Sequence, residues 1–92
     1  DLAKAPEIHR LLTSIRNQII NNFKQKIAFD LTDFLKQKET ELLNNVFEKI
    51  DYLEIRQEEN LELIQKVNPK IASRIFIAVY LGKIRLIDNL KL

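Results

Sequence analysis

A chain of 92 residues with one Gly, two Pro and no Cys has room for one domain, spanning 1–92, with a core near the lower practical size. It has too few turn-formers for an all-β fold and excludes disulfides, thiolate nucleophiles and cysteine-based zinc sites. The net charge is only +2, but residues 1–38 carry seven Lys/Arg and four Asp/Glu, residues 39–62 two and eight, and residues 63–92 six and one, so an acidic middle lies between basic ends and is expected to pair with them on folding.

The chain starts at Asp1 without Met, as a domain excised from something longer would. It carries no series resembling a signal peptide. An intracellular setting is expected, cytoplasmic or nucleoid-associated. Pro6 suits the first turn of a helix, and Ile8, Leu11, Leu12, Ile15, Ile19, Phe23 and Ile27 then recur at three- and four-residue spacing, which predicts an amphipathic helix from about Pro6 to about Ala28. Asp30 is a candidate N-cap for a second helix, with Asp33 adding negative charge to its first turn.

From Leu43 the apolar positions Leu43, Val46, Ile50, Leu53, Ile64 and Val67 follow a three-four alternation, with Gln57 and Asn60 in phase between them. One helix from Leu31 to Val67, roughly 55 Å long at the usual rise, would pair with another chain. A turn near Gln57–Asn60 would instead give two shorter helices and close the seam within one molecule. These six apolar residues are the expected partner contacts, with a homo-oligomer possible, if the helix is continuous, and an internal seam if the chain turns.

Asn68-Pro69 predicts a boundary and the start of a last helix. The body Ile75–Ile87 is interrupted only by Lys83 and Arg85 as charges, so it must be buried on several sides. It is too short to span a bilayer, which needs about twenty apolar residues, and no membrane association is expected. Its β-branched content also permits a strand from Ile75 to Leu81. The helix is preferred because no second strand-like segment is evident.

Chemistry-bearing groups are sparse. His9 is the only histidine and has no second ligand at metal spacing; Ser14 and Ser73 have no base nearby in sequence. Glu54, Glu58, Glu59 and Glu62 could in principle gather a cation, but pairing with Arg56 and Lys66 accounts for them. Gly82, the sole glycine, cannot make a phosphate loop. No catalytic, cofactor-binding or metal-ligating residue is assigned. Lys66, Lys70, Arg74, Lys83 and Arg85 offer an alternative, a weak, salt-dependent nucleic-acid contact through the basic C-terminal third.

Lys70-Ile71-Ala72, Tyr80-Leu81-Gly82-Lys83-Ile84 and Leu86-Ile87-Asp88, with Phe29-Asp30-Leu31-Thr32-Asp33-Phe34-Leu35 upstream, resemble the helical domain of GINS subunits, the scaffold of the replicative helicase. The resemblance implies a non-catalytic scaffold that contacts other replication proteins through helix faces. The sequence reading is therefore an all-α bundle of three or four helices, a non-enzymatic protein-interaction module without cofactor, possible as an accessory subunit in DNA replication.

Overall fold

The computed structural model describes residues 5–45 and 47–92. Two helices, α1 (Ala5–Lys24) and α2 (Leu31–Asn45), precede three strands, β1 (Lys49–Gln57), β2 (Ser73–Leu81) and β3 (Ile84–Lys91). The strands form one antiparallel sheet in the order β1-β2-β3. α1 packs against β3 and β2, and α2 against β1. The fold is a helical layer on a sheet, and the all-α expectation is wrong.

The first half follows the sequence closely. On α1 the residues Ile8, Leu12, Ile15 and Ile19 are buried, the spacing that keeps side chains on one helical face. The helix stops at Lys24, earlier than the stripe predicts. Lys26 adopts φ 57°, and the amides of Lys26 and Ile27 donate to the carbonyls of Phe23 and Asn22 at 3.1 and 2.9 Å. These are the two hydrogen bonds of a Schellman ending, with lysine in the left-handed position usually given to glycine. A stop without Gly or Asn leaves no mark in the sequence.

α2 begins where expected. The Asp33 amide donates to Asp30 Oδ1 at 3.0 Å, so Asp30 caps the helix. Phe29, just before the cap, meets Phe34 edge-on with ring centroids 5.8 Å apart, a hydrophobic staple that fixes the entry angle of the chain. Leu31, Leu35 and Leu42 are buried.

The second half departs from the helical reading. No helix continues through residues 47–67, and none begins at Pro69: Asn68 instead closes a turn, its Oδ1 accepting from the Lys70 amide at 2.9 Å and its carbonyl from the Ile71 amide at 3.0 Å. The apparent three-four alternation has a local cause. The pairing of β1 with β2 shifts between Ile50 and Tyr52, so that Ile50 opposes Val79 and Leu53 opposes Ile77. One extra residue in a bulge puts positions three apart on the same sheet face, which imitates a helical period.

The strand alternative for Ile75–Leu81 holds, because β1 and β3 are the partners judged missing. Ile55, Leu53 and Ile50 lie opposite Ile75, Ile77 and Val79, and Leu90 and Leu86 flank Ile75 and Val79 from the other side. Ile75, Ile77 and Val79 are fully buried. Gly82 (φ 61°) and Lys83 form the two-residue connection from Leu81 to Ile84, with glycine first, where a type II′ hairpin turn needs positive φ.

Candidate functional site

Three surface features concentrate the polar chemistry. The first is the sheet face turned away from the helices. Strand alternation places Tyr52, Phe76 and Tyr80 there, fringed by ion pairs: Arg56 with Glu54 at 3.2 Å, Arg74 with Glu58 at 3.1 Å, and Arg85 with Asp51 at 2.9 Å. Arg74 also donates to Asn89 Oδ1 at 2.9 Å, and Arg85 lies over the Tyr52 ring at 6.0 Å. The hydrogen bond to Asp51 holds Arg85 charged beyond its ordinary range. Each arginine here already has a carboxylate partner.

The second is a groove of about 860 Å³ between the end of α1, the α1–α2 connection and residues 65–67. Its floor is apolar, with Phe23 and Ile27 exposed at 40% and 48%, since the stripe of α1 runs on past the point where the sheet can cover it. Lys24, Lys26 and Lys66 line it with Asp30. An adjoining hollow of about 450 Å³ shares Phe23, Lys24 and Val67 and adds Lys70 and Lys91. None of these five lysines is in an ion pair among the described residues.

The third is His9 on α1, whose Nδ1 lies 2.9 Å from Asp88 Oδ2 on β3. The contact ties the first helix to the last strand and leaves Nε2 open. Beside it α1 presents a shallow polar surface of Thr13, Ser14, Asn17 and Gln18. Among the described residues no group of three His, Cys, Asp or Glu could hold a metal ion, and no helix is long and apolar enough to cross a membrane.

The predicted contact seam is not a single surface. Leu43 is exposed on α2, Leu53 is buried and Ile50 half-buried in β1, and Ile64 and Val67 are half-buried after it. Val46 lies outside the described residues. The seam required one helical phase from 43 to 67, and the strand with its bulge breaks that phase. The predicted basic set is likewise dispersed. Lys66 and Lys70 flank the groove system, Arg74 and Arg85 are neutralised on the open sheet face, and Lys83 sits at the hairpin turn.

A family model described as pantoate-beta-alanine ligase matches residues 1–91. The chain belongs to the pantoate-β-alanine ligase family. Among its relatives, the pantothenate synthetase of Thermosipho africanus is 37% identical over 97 aligned residues, covering 87% of this chain and 34% of that protein. That of Pseudothermotoga lettingae is 40% identical over 88, covering 86% and 31%. That of Fervidobacterium nodosum reaches 46% over 56 residues, covering 61% of this chain and 19% of its own. The chain thus spans about a third of the length of the first two relatives.

Membership of the pantoate-β-alanine ligase family overturns the resemblance to GINS subunits, and with it the reading of the chain as a replication accessory or a small nucleic-acid binder. The segments Tyr80–Ile84 and Leu86–Asp88 that carried the resemblance form a β-hairpin, whereas a helix-face match needs them helical. The non-enzymatic expectation falls too, because the family and its named members are ligases or synthetases. The groove went unread in the sequence because its lysines and apolar floor come from segments about forty residues apart. The one available signal was the stripe at Phe23 and Ile27 outrunning the rest.

Proposed function

We propose that this chain serves as one module of a pantoate-β-alanine ligase, working with further polypeptide of the kind its relatives contain. The reaction named by the family joins pantoate to β-alanine, which in chemical terms is amide formation between a carboxylate and an amine. The supporting observation is the family match along residues 1–91 together with the roughly one-third coverage of the relatives' length. In this reading the module supplies a rigid wall to the enzyme rather than the whole reaction centre. The buried strand β2 holds the sheet, and the open face with its paired arginines offers an apolar centre inside a charge-balanced rim, the composition of a surface that meets protein.

The protein partner expected from the sequence is then the remainder of the ligase, and the setting is cytoplasmic, where a soluble biosynthetic enzyme works. The test is replacement of the aligned segment of the Thermosipho africanus enzyme by this chain, in a bacterium that cannot make pantothenate. Growth without added pantothenate is expected. A chimera that accumulates as soluble, folded protein yet gives no growth overturns the proposal.

A further inference from the structure

The groove at the end of α1 and the hollow beside it form one trough. They share Phe23, Lys24 and Val67, so an apolar strip runs from Ile27 across Phe23 to Ile71. All three of these side chains are exposed. Beyond the buried Ile19 the α1 stripe continues to Phe23 and Ile27 without cover, and the segment that returns alongside it supplies the opposite wall.

Both walls are held by turns. On one side Lys26, at φ 57°, turns the chain, and the amides of Lys26 and Ile27 fasten it to the carbonyls of Phe23 and Asn22. On the other, Asn68 fixes the turn that presents Lys70 and Ile71, accepting from both of their amides. A hollow built this way is formed before anything enters it, which lowers the ordering cost of binding. Its larger part, about 860 Å³, falls within the roughly 300–1,000 Å³ of small-molecule sites.

The charge around it is one-sided. Lys24, Lys26, Lys66, Lys70 and Lys91 line the trough, and no ion pair takes up any of them among the described residues. The one side-chain carboxylate in the lining, that of Asp30, is engaged in capping α2, with Oδ1 3.0 Å from the Asp33 amide.

We infer that the trough binds a free amphiphilic anion, a hydrocarbon chain ending in a carboxylate or phosphate. The head group lies between Lys24 and Lys66, and the chain crosses Phe23 toward Ile71. The unpaired ammonium groups select an anion, and the exposed strip selects a body that gains by leaving water. A bilayer surface fits less well, because Phe23 and Ile27 lie in the floor of a concavity, whereas interfacial insertion needs apolar side chains that project. A peptide would bring backbone polar groups that the strip leaves unpaired; a hydrocarbon chain brings none. The site is independent of the ligase reading.

Amide NMR of the nitrogen-labelled 92-residue chain, titrated with hexanoate, octanoate and decanoate as monomers, reads location and affinity together. Saturable shifts confined to residues 22–28 and 65–72 are expected. Each methylene that the strip covers should tighten binding by about threefold, so decanoate should bind at least about tenfold more tightly than hexanoate. Lys24→Gln with Lys66→Gln should weaken octanoate by about five- to tenfold, the loss of a charge-assisted contact, and leave octanol unaffected. Ile27→Ser should weaken both. All three positions are exposed, so far-UV circular dichroism should not change. Absent or scattered shifts, affinity independent of chain length, or a lysine double variant that binds octanoate as the parent does would each overturn the inference. So would a chain that ignores octanoate yet sediments with phosphatidylglycerol vesicles, or one whose same amides respond only to an acidic leucine-rich peptide; the occupant would then be a bilayer or a protein segment.

Discussion

Asp30 and Lys26 bracket the connection between the helices, and each sets a helix end by local hydrogen bonding. Replacing Asp30 by Ala removes the acceptor for the Asp33 amide and should lower stability by about 1 kcal/mol, the usual worth of an N-cap, as read by urea unfolding. Lys26→Gly should act in the opposite direction by a few tenths to about 1 kcal/mol, because glycine adopts the φ of 57° without a Cβ clash. Glu39 on α2 is perturbed in a way that predicts a pH dependence. Burial first, and the Glu54 charge second, raise its pKa above the ordinary glutamate value, with Lys36 opposing. The folded chain therefore holds this proton more tightly than the unfolded chain does. As pH rises through the ordinary glutamate range to the raised value, unfolding releases the proton, so this site's contribution to stability falls. Glu39→Gln should accordingly raise the melting temperature at neutral pH and lose that advantage in acid, a difference that two thermal scans would resolve.

At the scale of elements, the helices were legible and the sheet was not. The stripe on α1 and the cap on α2 are local signals, and a helix satisfies its own backbone. A strand is defined by its neighbours, and here the neighbours were disguised. The bulge near Asp51 gave β1 a helix-like spacing, and burial of Ala78 and Val79 in succession hid the alternation of β2 behind an apolar run. The turn at Gly82-Lys83 between two β-branched runs was the signal that could have revealed the hairpin. The sheet reading makes a contrast that a last helix buried on several sides does not. Ile77→Ala in β2 should cost about 2–5 kcal/mol, because it empties a fully buried position. Ile87→Ala in β3 should stay within about 0.5 kcal/mol, since Ile87 is 57% exposed. Equal losses at the two positions in chemical denaturation would contradict this placement of the core.

Over the whole molecule, charge organisation was readable in advance while the surfaces it builds were not. The acidic middle does meet the basic end, through Arg74 with Glu58 and Arg85 with Asp51. Those pairs remove two of the cations on which a nucleic-acid surface would have depended. Lys24, Lys26 and Lys66 gather around one groove only because the α1–α2 connection folds beside residues 65–67, a juxtaposition that no local pattern encodes. Function was the least legible of all, because a module that spans about a third of its relatives need not carry a motif that names the reaction. The most direct measurement is therefore made on an assembled enzyme: the Thermosipho africanus synthetase with its aligned segment replaced by this chain, purified and supplied with pantoate, β-alanine and the parent enzyme's assay components. Pantothenate formation well above that of the same enzyme lacking the segment is the predicted result. A chimera with the parent's secondary-structure content and melting behaviour that forms no pantothenate would contradict the account.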